Sequence, residues 1–146
     1  MRLWLLAGSL VVLAACGGDS TGPSNVTKNL AGVWTWQANV SNSSLQVSCI
    51  ASANLSVTQT DTQFSGTLYG GGGTCTGPDG SSTFDPNGSI SGGTVSGSVV
   101  TYTDGICSYT GTTVGNPVNK VVGEVTCNFP VNGQNIPMNG TWQISR

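Results

Sequence analysis

The side chains that could perform chemistry are few in this 146-residue chain and lie far apart. There is no histidine, and the chain has four basic and six acidic residues, which excludes histidine-dependent catalysis and histidine metal sites. Asp61, Asp79 and Asp104 lie in turn-like sequences, where aspartate serves local hydrogen bonding. Glu124 has no second carboxylate near it, whereas a glycoside hydrolase needs a pair. We therefore expect no enzymatic activity, no metal and no cofactor.

The composition also limits the fold and the partners. Glycine, serine, threonine and asparagine make up nearly half of the residues, and all four are poor helix formers. Binding to nucleic acid requires clustered lysine and arginine, which four scattered basic residues do not supply. The sequence therefore indicates a single all-β domain with no nucleic-acid partner.

The first sixteen residues have the pattern of an export signal. A short positive start precedes residues 3–15, which are apolar apart from one glycine and one serine. This apolar stretch is too short for a membrane helix, which needs about 20 residues, so a signal peptide over residues 1–15 is predicted. The stretch ends in a sequence that resembles the lipobox of bacterial lipoproteins, Leu13-Ala14-Ala15-Cys16.

The lipobox resemblance implies cleavage before Cys16, diacylglycerol on its thiol, palmitate-type acylation of the new amino group, and hence the membrane as a partner. Each buried methylene contributes about 0.8 kcal/mol, so several acyl chains give a lasting anchor. Gly17, in place of an aspartate, favours sorting to the outer membrane. Residues 16–29 are small and polar and are predicted to be a flexible linker to a domain over residues 30–146. The alternative is an ordinary secretory signal with an incidental cysteine.

Four further cysteines, Cys49, Cys75, Cys107 and Cys127, form an even set, which in an exported protein indicates two disulfides. A turn at Asp61-Thr62 brings Cys49 within one residue of Cys75, and a bulge among the glycines 70–73 would close that gap. A turn centred on Asn116-Pro117 places Cys107 opposite Cys127. The predicted disulfides are therefore Cys49–Cys75 and Cys107–Cys127, each across one hairpin.

Alternation of apolar and polar residues with period two predicts the strands. Eight are expected, at about 31–40, 46–60, 63–73, 81–91, 94–102, 106–114, 119–130 and 135–145. The fourth is the weakest, since it contains Pro86. A Gly92-Gly93 turn would pair Ile90 with Val95, and an Asn132-Gly133 turn would place apolar residues opposite each other in the last hairpin, for example Phe129 opposite Ile136.

Successive antiparallel strands with short connections form an up-and-down meander. Eight of them can close into a barrel, which removes both sheet edges. Alternation alone leaves open which face lies inside, and an outer-membrane barrel would turn its apolar face to lipid. The predicted disulfides and many glycines lie on the apolar face and no aromatic girdles bracket the strands, so we expect that face to line the interior.

The first strand carries Gly32-Val33-Trp34, which resembles the G-x-W signature of the calycins, the group of lipocalins, fatty-acid-binding proteins and avidins. In that group a basic residue of the last strand packs over the tryptophan, and Arg146, after Trp142, is the matching residue. The resemblance implies a calycin-like or avidin-like barrel in which Gly32, Trp34, Trp142 and Arg146 close one end. Biotin binding does not carry over, because Trp36 stands where avidins have an asparagine.

Aromatic and apolar residues on the inward face could line a small cavity or simply fill the barrel, since eight strands leave little internal space. The residues expected to line such a cavity are Trp36, Phe64, Leu68, Tyr109, Phe129 and Met138. The sequence thus favours a non-catalytic barrel that binds a small apolar or amphipathic ligand. The alternative is a protein-interaction module, such as a protease inhibitor or a component of the cell envelope or surface, with an envelope protein as its partner.

Overall fold

The structure, a computed structural model, describes residues 27–131 and 133–146. The predicted signal peptide, Cys16 and most of the linker lie outside these residues, as does Asn132. The described chain forms nine strands: β1 (Gly32–Asn42), β2 (Val47–Thr60), β3 (Gln63–Gly77), β4 (Gly80–Phe84), β5 (Gly88–Ser96), β6 (Val99–Thr103), β7 (Cys107–Val114), β8 (Lys120–Val131) and β9 (Gln134–Ser145). Within these ranges no helix is long and apolar enough to cross a membrane.

Eight of the nine strands close into an antiparallel barrel. Each strand pairs with its neighbour along the chain, and β1 pairs with β9 to complete the ring. The exception is β4, which pairs only with the last part of β3, while β5 pairs with the first part of β3. The predicted eight-stranded up-and-down barrel is therefore confirmed, with β4 as an added strand beside one end.

The predicted registers of three hairpins are also confirmed. Cys107 pairs with Cys127 across β7 and β8, and Phe129 pairs with Ile136 across β8 and β9. Cys49 pairs with Cys75 because a one-residue bulge interrupts β3 opposite residues 52–54. Both disulfides, Cys49–Cys75 and Cys107–Cys127, connect these directly opposed residues.

The predicted fourth strand (81–91), the predicted fifth strand (94–102) and the turn between them were wrong. Residues 81–91 are divided between β4 and β5, because Pro86 lies in the connection that separates them. The pair Gly92-Gly93 lies inside β5, where the register shifts, and the turn falls instead at residues 97–98. Val95 therefore pairs with Val100 and not with Ile90.

The apolar face of every barrel strand points inward. Apart from two glycines, all the residues that are buried in the described chain are apolar or aromatic, and they form one cluster inside the barrel. Along β1, for example, Trp34, Trp36 and Val40 are buried, whereas Val33 and Thr35 are exposed. This arrangement is the one expected for a barrel whose core is the apolar face.

Candidate functional site

One end of the barrel is closed by a packed group around Trp34. The Trp34 side chain is buried and its Nε1 donates a hydrogen bond to the Leu30 carbonyl at 2.7 Å. The guanidinium of Arg146 lies over the indole, 4.1 Å from the ring centre. Arg146 also donates hydrogen bonds to the carbonyls of Ala31 and Val118. These contacts join the chain entering β1, the loop before β8 and the end of β9 into one plug.

Gly32 is part of this plug, whereas Trp142 lies outside it. Gly32 has φ of +120°, and a Cβ there would lie 3.3 Å from the Arg146 Nη1, so glycine suits both the backbone and the approach of arginine. Trp142 lies further along β9, where its ring contacts Tyr102 and Tyr109 edge-on. The structure thus places Trp142 in the middle of the barrel and not at the closed end.

The middle of the barrel contains a layer of aromatic rings. Tyr102 and Tyr109, which are paired across β6 and β7, stack with their ring centres 4.2 Å apart. Trp36 Nε1 donates a hydrogen bond to the Tyr102 hydroxyl at 3.0 Å, and both side chains are buried. Tyr102 also makes an edge-to-face contact with Phe64. Aromatic pairs in such geometries add to the stability gained from burial alone.

Burial keeps the two stacked tyrosines in their neutral form. Desolvation raises the pKa of Tyr102 well above its usual value, and the neighbouring Tyr109 raises it further. Desolvation also raises the pKa of Tyr109, as does the negative charge of Asp104. Neither hydroxyl is therefore available as a base at ordinary pH, and both act as hydrogen-bonding groups.

Beyond this aromatic layer, toward the opposite end of the barrel, lies a cavity of about 300 Å³. This volume is at the lower limit of small-molecule sites. Its floor and walls consist of inward-facing side chains of β1, β2, β3, β7 and β8, including Trp36, Ala38, Val40, Ala51, Leu68, Tyr109, Val125 and Phe129. Three disulfide-bonded residues, Cys49, Cys107 and Cys127, also line it.

The connection between β4 and β5, residues 85–87, lines the mouth of the cavity together with the first two residues of β5. It is attached to the bulge of β3, because the Asn87 side chain accepts a hydrogen bond from the Gly71 amide at 2.9 Å. A Cβ on Gly71 would lie 2.6 Å from the Cβ of Ala53 and 2.9 Å from Pro86. The glycine segment therefore allows the mouth connection to pack directly against β3.

Asp104 occupies the other side of the mouth, in the turn between β6 and β7. One carboxylate oxygen accepts hydrogen bonds from the amides of Ile106 and Cys107, at 3.0 and 2.7 Å. The other accepts a hydrogen bond from the Tyr109 hydroxyl at 2.8 Å. Asp104 is thus the turn aspartate that the sequence predicts, and it also connects the mouth to the aromatic layer.

A second concave surface, a wide groove of about 1120 Å³, lies on the outside of the barrel across β8, β9, β1, β2, β3 and β4. Its lining combines outward-facing polar side chains, such as Gln37, Glu124 and Thr141, with apolar ones, and Ala38, Ala51 and Phe84 line both this surface and the cavity. Ile50 and Val122 are exposed apolar residues in it. We refer to this surface as the outer groove.

The structure brings together four of the six residues expected to line a cavity: Trp36, Leu68, Tyr109 and Phe129. The other two, Phe64 and Met138, are buried but are not among the lining residues: Phe64 packs edge-on against Tyr102, and Met138 is paired with Cys127. Tyr102 and Asp104 were missed as parts of the site. The signal for both was present in the pattern Tyr102-Thr103-Asp104-Gly105, a turn sequence preceded by an inward aromatic residue.

Comparison with known proteins assigns no family. No protein-family description matches the sequence, and no curated protein matches it. Among solved structures, one described as the siderocalin Ex-FABP, which functions through dual ligand specificities, aligns with a TM-score of 0.33 and 13% identity. The alignment covers 80% of this chain and 69% of that one. The class is therefore defined by the described chain itself: a disulfide-linked eight-stranded barrel, closed at one end and with an apolar cavity at the other.

Proposed function

We propose that this protein is a lipid-anchored binding protein of the bacterial cell envelope that holds a small apolar or amphipathic ligand in its barrel. The observation that carries the proposal is the cavity of about 300 Å³ above Trp36 and Tyr109. Ligand sites are typically concave and mostly apolar, with a few polar groups that fix orientation. The cavity has that composition, with Asp104 and Asn87 at its mouth.

The test of ligand binding compares two phenylalanine variants on the same strand. Ala51→Phe adds a ring on the inward face of β2, where Ala51 lines the cavity. Ser56→Phe adds a ring on the outward face of β2, where Ser56 is exposed. Both proteins should carry a second change, Cys16→Ser, which removes the predicted lipid site.

Native mass spectrometry of the exported, oxidised protein should show a bound small molecule that is lost on denaturation. We expect Ala51→Phe to lose this mass and Ser56→Phe to retain it. A bound mass that persists in Ala51→Phe would place the ligand elsewhere, and a bare polypeptide in every sample would refute the proposal.

The anchor is tested separately from the barrel. The sequence Leu13-Ala14-Ala15-Cys16 supports acylation at Cys16 and residues 17–29 support a tether. In a bacterial host the wild-type protein should fractionate with membranes, most of it with the outer membrane, and the Cys16→Ser variant should be released. Equal fractionation of the two proteins would contradict lipid anchoring while leaving the ligand proposal intact.

The outer groove supports a second candidate function, a protein-interaction module. Ile50 is 58% exposed on this surface and Val122 is 39% exposed, and exposed apolar residues grouped on one surface mark interaction sites more often than isolated ones do. Ile50→Asp with Val122→Asp should abolish such an interaction and leave the bound small-molecule mass unchanged. This pair of variants therefore separates the two functions.

A further inference from the structure

The charged residues of the described chain are distributed unequally between the two ends of the barrel. All three cations lie at the closed end: Lys28 precedes the plug, Lys120 begins β8, and Arg146 covers Trp34. The β2–β3 turn adds one acidic residue, Asp61, at this end. At the open end the charged residues are acidic: Asp79 in the β3–β4 turn, and Asp85 and Asp104 at the mouth. The field of such a charge distribution attracts positive ligands toward the mouth and repels negative ones.

The two mouth carboxylates are the only charged side chains of the described residues that line the cavity. Asp104 is exposed, and hydrogen bonds from Tyr109 and from the β6–β7 turn hold its carboxylate in place. Asp85, also exposed, accepts a hydrogen bond from the Asn87 amide at 2.8 Å, which holds it in the mouth connection. Each carboxylate has further acceptor capacity, because an ionised carboxylate accepts about four hydrogen bonds.

The described lining also disfavours an anionic ligand. Two of its aromatic rings, Trp36 and Tyr109, lie at the floor of the cavity and would contact the apolar part of the ligand. A carboxylate ligand would find neither lysine nor arginine among the described lining residues. Its burial there without a partner would be costly.

We infer that the ligand of this cavity is an amphiphile with a cationic end, a hydrophobic amine or quaternary ammonium compound, whose apolar part occupies the barrel and whose charge lies between Asp85 and Asp104. This inference rests on the proposed ligand-binding function and specifies the class of ligand. The apolar part contributes most of the affinity, and the two carboxylates contribute selectivity against neutral and anionic compounds of the same size.

The experiment compares three probes with the same hydrocarbon chain, n-octylamine, n-octanol and octanoate, by isothermal titration calorimetry. The protein is the oxidised Cys16→Ser form, which needs no detergent that would compete for the cavity. We expect octylamine to bind about tenfold more tightly than octanol, a difference of about 1.4 kcal/mol, and octanoate to bind more weakly than octanol. Added salt should reduce the preference for the amine, because exposed charges are screened.

The matched variants are the double change Asp85→Asn with Asp104→Asn, and Asp61→Asn as the control. Asparagine retains one oxygen that accepts from the backbone amides of Ile106, Cys107 and Asn87, and its Nδ2 can donate to the Tyr109 hydroxyl, so the mouth should remain folded. Asp61→Asn removes the same charge from the turn at the opposite end of the barrel, where Asp61 has φ of +53°, a conformation that asparagine also tolerates. The double variant should bind octylamine and octanol equally, and the control should keep the tenfold preference.

The outcomes distinguish the inference from the function on which it rests. If all three probes bind equally, or octanoate binds most tightly, the barrel is a ligand-binding protein but the inferred cation selectivity is wrong. A preference for octylamine that survives in the double variant would equally overturn the role of Asp85 and Asp104. If none of the probes binds, the proposed ligand-binding function fails, and this inference fails with it.

Discussion

The hydrogen bond between Trp36 and Tyr102 gives a quantitative test of the barrel interior. Both side chains are buried, and the described contacts of each polar group include only the other, with Trp36 Nε1 donating to the Tyr102 hydroxyl at 3.0 Å. A buried polar group that loses its partner costs about 1–3 kcal/mol, whereas removal of both partners is close to neutral. Tyr102→Phe alone should therefore destabilise the protein by about 2 kcal/mol.

The destabilisation caused by Tyr102→Phe should disappear when its hydrogen-bond partner, the Trp36 indole, is also removed. In a Trp36→Phe background the indole N–H is absent, so Tyr102→Phe should cost nothing or stabilise the protein slightly. The double-mutant cycle should then give a coupling energy of about 2 kcal/mol, well above the roughly 0.5 kcal/mol seen for independent sites. The smaller volume of the phenyl ring affects both Trp36→Phe proteins equally and cancels in the cycle.

Urea unfolding of the oxidised proteins, followed by far-ultraviolet circular dichroism, measures the four free energies. Tyr69→Phe in the same background is the control, because Tyr69 is 43% exposed and should behave additively. If Tyr102→Phe costs the same in both backgrounds within about 0.5 kcal/mol, water from the cavity satisfies the separated groups. That result would refute the expectation that the aromatic layer excludes water, on which the predicted coupling energy depends.

Three further predictions concern other parts of the barrel. Gly140→Ala should destabilise the protein by more than about 2 kcal/mol in urea unfolding, because a Cβ there would overlap the backbone of β1. Arg146→Met should cost about 1–2 kcal/mol through loss of the contact with the Trp34 ring and of hydrogen bonds to backbone carbonyls, and Arg146→Lys should recover only part of it in the same assay. In a Tyr69→Phe protein, Tyr102 and Tyr109 should show no tyrosinate absorbance until unfolding. Because their folded-state pKa values are raised, stability should be fully retained below about pH 10, where unfolded tyrosine ionises, and should fall as the pH rises further.

Much of the barrel could be predicted because turn sequences and alternation agree over long stretches. The turn predicted from the sequence Asn132-Gly133 implies every pair of the last hairpin, and the structure pairs Cys127 with Met138 and Gly123 with Trp142. A shift by one residue would turn each apolar side chain outward, so the register is strongly determined wherever one face is buried. The same reasoning correctly predicted both disulfides without any knowledge of the fold in three dimensions.

The strands between β4 and β6 were predicted wrongly for an equally specific reason. Two dipeptides compete as turns, Gly92-Gly93 and Gly97-Ser98, and both are recognised hairpin sequences. The structure uses the second, with Ser96 paired with Val99. Moving the turn reverses the inward and outward faces of the following strand, so Val99 is exposed and Tyr102 is buried. Tyr102 was therefore missed as a member of the aromatic layer.

The cavity itself was beyond sequence reasoning, since alternation shows which side chains point inward but not how much space they leave. Two features create the space. The lining includes the paired residues Ala38 and Ala51 on β1 and β2, where larger side chains would fill the interior. In addition, β3 exchanges its partner β5 for β4 beyond its bulge, so the connection 85–87 and the first two residues of β5 complete the wall there, and not the inward face of a further strand. Residues 81–91 were predicted as one continuous strand, but β3 changes its partner within this region. That change places Asp85 at the mouth, where we expect its charge to select the ligand.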